Sequence, residues 1–145
     1  MKLIKDKYKY PELQRVENEL GRFYIDSEGQ EVPSVTNVLS TTSDQSGIDE
    51  WKRRVGLEEA ERVLQESSSI GSNVHNALEN YLQDKEWKII DDGSYISKTS
   101  ILILESFINN LVNDINEVWG LEAGLILDGL YAGTVSYTHL TLPTR

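Results

Sequence analysis

Between Ser97 and Val118, the apolar residues Ile101, Leu104, Ile108, Leu111, Ile115 and Val118 recur at alternating spacings of three and four, backed by Phe107 and Val112. That period is the stripe of an amphipathic helix, which must find cover. The spacing predicts a helix over 97–118. Between Thr99 and Thr134 there is no basic residue against five acids, so this stretch is expected to pack inside a larger body. Two short strands do not cover such a stripe. Poor solubility or partial unfolding of the isolated chain is therefore expected.

The segments around it read as mixed α and β. Lys2, Lys5, Lys7 and Lys9 alternate with apolar residues and tyrosines, which suggests a mobile arm or an edge strand. Phe23 to Ile25, a turn at Ser27 to Gly29 and a short run into Pro33 predict a hairpin. Ser34 is placed to cap a short helix over 34–39, since its hydroxyl can accept a free N–H at the helix start. Residues 41–47 read as a loop, and 48–55 as a short helix stopped by Gly56. Leu57, Ala60, Val63 and Leu64 predict a helix over 57–69, ended by three serines. Val74, Ala77, Leu78, Tyr81 and Leu82 predict another over 71–83, with Tyr81 in the core. Residues 84–96 form a polar connection, with a turn at Asp92-Gly93 and room for a strand at Trp87 to Ile90. Strands are expected over 119–127 and 130–135. Asp128-Gly129 between them suits a type I′ turn, in which both central residues take positive φ.

Composition narrows the function classes. The 145 residues carry a net charge of −10 and contain no cysteine. A disulfide framework, a thiolate metal site and a cysteine nucleophile are thereby excluded. The acidic balance argues against a stand-alone nucleic-acid binder, which usually carries a basic footprint. No apolar run approaches the ~18 residues of a membrane span, and the N-terminus lacks the pattern of a secretory signal. No membrane association and a cytoplasmic location are expected, in the host cell if the chain is phage-encoded.

The last eleven residues, VSYTHLTLPTR, change character abruptly, with three threonines and no acid. Back-translated, they resemble one reading frame of a transposon-type sequencing adaptor. The chain is therefore divided into 1–134 and a non-native read-through tail over 135–145. The alternative is a genuine Thr-rich terminal strand.

His75 and Glu79 stand four apart and so share a helix face. Leu78 and Leu82 set His75 at the edge of the apolar stripe, with its ring expected to point partly inward. A neutral imidazole there can ligate a metal, or it can be a satisfied boundary histidine paired with Glu79. Lys52, Arg53 and Arg54 form the dense basic cluster. On a short helix they can contact phosphates, or they can be a solvated face pairing with Glu50, Glu58 and Glu59. Trp51 reads as a packing residue and Glu122 as a strand-face residue.

Four blocks in order carry a resemblance: Pro33-Ser34-Val35-Thr36-Asn37-Val38-Leu39, Trp51-Lys52-Arg53-Arg54-Val55-Gly56, Gly71-Ser72-Asn73-Val74-His75 with Glu79, and Ala132-Gly133-Thr134. Across roughly residues 20–134 the chain resembles the PD-(D/E)XK nucleases of the RecB type, phage exonucleases and the mitochondrial genome maintenance exonuclease among them. The resemblance implies a restriction-endonuclease-like α/β fold, a mixed sheet flanked by helices, of which this chain is the N-terminal fragment. It implies a DNA exonuclease that uses Mg²⁺ or Mn²⁺ to activate water and stabilise charge on the phosphate. By the same resemblance His75 is a metal ligand and Glu79 stands behind it, fixing the imidazole tautomer. Gly71 would let the helix start approach a neighbour closely, and the second block holds Lys52, Arg53 and Arg54, the candidates for contact with DNA. The family's strand aspartate, in A-G-T-x-D, falls at position 136, where this chain has Ser136. No D/E-x-K strand follows. The chain is therefore expected to be inactive as it stands. The alternative function is a non-catalytic helical interaction module, with His75 and Glu79 structural.

Overall fold

A computed structural model of the chain describes residues 2–4, 7–110 and 112–140. The architecture is mixed α/β; among the described residues there are two three-stranded sheets, one ordered β1 (Lys2–Leu3), β5 (Glu117–Leu127), β6 (Tyr131–Leu140), the other β2 (Gln14–Asn18), β3 (Gly21–Ile25), β4 (Glu31–Pro33). The single mixed sheet expected from the sequence is thus replaced by two smaller ones. The chain divides into two compact units.

The helical unit is built on Ser46–Val118, together with Lys2-Leu3. It opens with α2, Ser46–Val55; the preceding helix α1, Val35–Thr42, lies in the other unit. Gly56, at φ +91°, breaks the chain direction. Then α3 runs unbroken over Leu57–Leu82. Two helices were expected here, separated at Ser67-Ser68-Ser69 and Gly71. The serines and the glycine lower helix propensity, but they remove no backbone N–H, so the hydrogen-bond ladder passes through them. Buried Ala60 on one side of the interruption and Val74, Ala77 and Leu82 on the other hold both halves to one axis.

The next helix, α4, is Tyr95–Asn110. Ser94 Oγ accepts from the Ser97 N–H at 3.1 Å and satisfies one of its first amides. Its inward face is Ser97, Ser100 and Leu104. Ser100, wholly buried, donates to the Ile96 carbonyl at 2.7 Å and meets Asn73 of α3 at 3.5 Å. The predicted helix over 97–118 stops early. A 3₁₀ turn at Val112–Asp114 follows α4, and β5 begins at Glu117. Asn109, Asn110, Asn113 and Asn116 favour local turns over helix, while Val112, Ile115 and Val118 are equally suited to strands. These three are still buried, so the stripe reaches the core through a change of structure. Leu111 lies outside the described residues. Trp87 to Ile90 form no strand. Lys2–Leu3 is the edge strand β1, parallel to Glu117-Val118.

The strand unit combines Ile4–Gln45 with Trp119–Thr138. Strands β2 (Gln14–Asn18), β3 (Gly21–Ile25) and β4 (Glu31–Pro33) form an antiparallel meander, with Arg15 opposite Tyr24 and Tyr24 opposite Val32. The β3–β4 hairpin is the one expected, and β2 is additional. Helix α1, Val35–Thr42, begins where expected and runs past Leu39. Ser34 caps it, accepting from the Asn37 N–H at 3.0 Å.

Strands β5 (Glu117–Leu127) and β6 (Tyr131–Leu140) are hydrogen-bonded neighbours. A three-residue loop between neighbours permits only an antiparallel hairpin. The Leu130 N–H donates to the Leu127 carbonyl at 3.0 Å. Gly129 has φ +71° while Asp128 does not share its positive φ. This is the requirement of a type II turn, not of the expected type I′ turn. The core of the unit is Tyr24, Val32 and Ala132, with Leu13 and Ile126 packed on it. Among the described residues no helix is long and apolar enough to cross a membrane.

Candidate functional site

His75 and Glu79 lie on one side of α3, as their spacing requires, but His75 is exposed. The imidazole expected at the edge of the stripe, pointing partly inward, belongs to an exposed residue. The buried residues Val74, Ala77 and Leu82 spread over a wide arc of α3, and at about 100° per residue His75 stands at the edge of that arc, next to Leu82. The Glu79 carboxylate is half-buried and accepts from Gln83 Nε2 at 2.9 Å. Gly71 is not at a helix start, and a methyl group added there would meet nothing within 4 Å. The close approach expected at Gly71 is therefore absent; its position inside α3 sets it on an open face.

Lys52, Arg53 and Arg54 occupy the last turn of α2, where cations complement the helix dipole. Arg53 and Arg54 are exposed and Lys52 is half-buried. Arg53 Nε reaches the Asp49 carbonyl at 3.4 Å. Among the described residues none of the three forms an ion pair. Glu59, one of the partners expected for them, binds Arg62 at 2.6 Å, and Arg62 also reaches Glu66 at 2.7 Å. Trp51 is half-buried, in keeping with packing. Tyr81 is half-buried and meets Trp87 edge-on, with ring centroids 5.3 Å apart.

A cavity of about 400 Å³ in the helical unit is lined by Asn73, Asn76 and Asn80 of α3 and by Trp87 and Lys88. His75 is not part of its lining. Asp92 also lines it, and its carboxyl is held down to about 2, first by a hydrogen bond from the Ser94 side chain.

A cavity of about 600 Å³ lies in the strand unit. Tyr10, Arg15, Arg22, Glu122 and Thr134 line it. Arg15 and Arg22 both pair with Glu17, whose carboxyl is held below the usual carboxylate range, mostly by Arg15. Glu122 is exposed and has φ +45°, inside a strand. Thr134, exposed on β6, closes the Ala132-Gly133-Thr134 block. Ser34 and Ala132 form a parallel bridge, and both are almost fully buried. A methyl group on Gly133 would sit 3.3 Å from Val35 Cγ2.

Beside this cavity is a cluster on the N-terminal segment expected to form an arm or an edge strand. Tyr8 meets Trp119 edge-on with centroids 5.9 Å apart, and Tyr8 meets Tyr10 at 6.3 Å. Lys7 Nζ stands 4.4 Å from the Trp119 ring centroid, within cation–π range. The available signal was the alternation of lysine and tyrosine over residues 7–10.

Among the described residues no three His, Cys, Asp or Glu side chains gather as a metal-holding group. Compared with known families, curated proteins and solved structures, the chain matches none.

Proposed function

We propose that this chain is the N-terminal part of a PD-(D/E)XK-type nuclease, a DNA exonuclease that hydrolyses phosphodiesters at DNA ends in recombination, replication or repair. The observation that supports this reading is the meeting of two of its motif blocks. Pro33-Ser34-Val35 and Ala132-Gly133-Thr134 are about a hundred residues apart in sequence. They join through the Ser34–Ala132 bridge and the Gly133–Val35 contact. A restriction-endonuclease-like fold belongs to the same reading.

In it, His75 is a metal ligand, Glu79 stands behind it, and Lys52, Arg53 and Arg54 contact DNA. The residues of this chain do not fit a Mg²⁺ or Mn²⁺ centre by themselves. Position 136 is Ser136 where the resemblance asks for an aspartate, and the described residues offer no group of three ligands. Hard cations need several oxygen donors. The 145-residue chain is therefore proposed to be inactive, and no catalytic step is derived from it.

A second reading, a non-catalytic helical interaction module, draws on α4. Tyr95, Leu102 and Ile103 are exposed there at 65%, 67% and 46%.

Sequencing the source DNA through codon 136 separates the two. An aspartate codon at 136 followed by a D/E-x-K strand supports the nuclease. The extended protein should then bind Mn²⁺, and His75→Ala should weaken that binding. A confirmed Thr-rich end with a stop after Arg145 overturns the catalytic reading in favour of the module.

A further inference from the structure

We propose that Lys7, Tyr8, Lys9 and Tyr10, with Trp119, form a stacking surface for single-stranded nucleic acid. This deepens the nuclease reading and rests on its choice of a nucleic-acid partner.

The cluster has the two components that such surfaces combine, namely rings on which bases stack and cations that track the backbone. The three rings form a connected row, Tyr10 to Tyr8 to Trp119, with neighbouring centroids about 6 Å apart. Tyr8, the middle ring, keeps 53% of its surface exposed. A ring that served only to anchor the N-terminal segment would gain most by full burial. Lys7 and Lys9 are both exposed.

Charge makes the location specific. The whole chain carries −10, yet its first ten residues hold four lysines against one aspartate. Farther along the strand unit, Arg15 and Arg22 are both drawn to Glu17. A polyanion approaching this segment meets exposed positive charge at Lys7 and Lys9. Bases in a duplex hide their faces in the stack, so rings of this kind select unpaired strands. Stacking ignores the sugar, so single-stranded DNA and RNA share the chemistry.

The test measures fluorescence anisotropy of labelled oligo(dT), oligo(rU) and a blunt duplex, each of about 20 nucleotides per strand, with the full chain in EDTA. Either single strand should bind more tightly than the duplex, and the dT-to-rU ratio identifies the preferred sugar. Tyr8→Ala should weaken binding by roughly ten- to a hundred-fold, whereas Tyr8→Phe, which keeps the ring, should bind as the parent does. Lys7→Gln and Lys9→Gln should each flatten the dependence of log K on log salt by about 0.7. Circular dichroism of Tyr8→Ala checks that the fold is kept.

Equal binding by Tyr8→Ala overturns the surface and moves the contact elsewhere on the chain. Equal or tighter binding of the duplex, or no binding of any strand, also overturns it. None of these results depends on metal chemistry, so the nuclease reading stands or falls separately, at codon 136.

Discussion

The Asp26 carboxylate accepts a hydrogen bond from the Gly129 N–H at 2.9 Å, across 103 positions of sequence. The exchange is reciprocal. Asp128, beside Gly129, accepts from both the N–H and the hydroxyl of Ser27, at 3.2 and 2.7 Å. Two hairpin turns, β3–β4 and β5–β6, are thereby clamped tip to tip. Asp26 also accepts from the N–H groups of Gln30 and Glu28 within its own turn.

Removing the Asp26 carboxylate should loosen both turns at once. Asp26→Ala is expected to lower the melting temperature and to speed amide exchange at Gly129 as well as at Gln30. Ser27→Ala removes one hydrogen bond at an exposed site and should cost about 1 kcal/mol or less. The Asp26 carboxyl is held below its usual value, chiefly by the Gln30 N–H and then by Gly129 and Glu28. A depressed folded pKa stabilises above the unfolded value, about 3.8, and that stabilisation is lost as pH falls through the lower folded value. Acid titration of stability should therefore be shallower in Asp26→Asn than in the parent. An unchanged acid limb would sink the clamp.

Leu104 and Leu102, two residues apart on α4, should respond oppositely to truncation. Leu104 is 2% exposed and Leu102 67%. Leu104→Ala is expected to cost about 2–4 kcal/mol in urea unfolding. Leu102→Ala should stay within about 0.5 kcal/mol. A reversed order would mean that α4 is rotated from the face described.

Two glycine-to-alanine changes should differ in sign. A methyl group on Gly124 would lie 2.6 Å from the Pro11 carbonyl oxygen and 2.7 Å from Leu13 Cγ. Gly124→Ala should destabilise by about 1–3 kcal/mol. Gly71, inside α3 with open space around it, should gain about 0.5–1 kcal/mol as alanine. Thermal melts of the two variants decide the matter.

Glu122 holds a left-handed φ within β5. For an L residue that conformation costs about 1–2 kcal/mol. Glu122→Val, which adds β-branching at the same backbone position, should destabilise by at least about 1 kcal/mol. Glu122→Gly should be near neutral, its relief of strain offset by unfolded-chain entropy. A stabilising Glu122→Val would indicate ordinary extended backbone there.

Local chemistry was the legible part of this fold. The Ser34 cap, the break at Gly56, the β3–β4 hairpin and the reversal at Asp128-Gly129 each depend on one or two residues with a defined backbone role. What escaped depends on distant partners. Strand β2 has only Val16 as an apolar residue among Gln14, Arg15, Glu17 and Asn18; it exists by backbone pairing to β3. The continuity of α3 comes from burial on both sides of a weak middle. The long stripe after Ser97 was read as one helix because period alone does not register the asparagines that end it. At the candidate site, the His75–Glu79 spacing was visible, but the exposure of His75 was not. The Tyr8–Trp119 contact joins residues more than a hundred positions apart, and nothing in either neighbourhood announces the other.

The discontinuity of the strand unit sets an order of events during synthesis. Helices α2, α3 and α4 draw their packing from one continuous stretch, Ser46–Val118, and can assemble as it leaves the ribosome. The β2–β4 meander emerges earlier, yet it must wait for the hairpin carrying Gly129. At bacterial or eukaryotic elongation rates the interval from residue 26 to residue 129 is roughly 5–20 s. For that time Tyr24 and Val32 lack the cover of Ala132, and the nascent N-terminal strands are the part of this protein most in need of a chaperone.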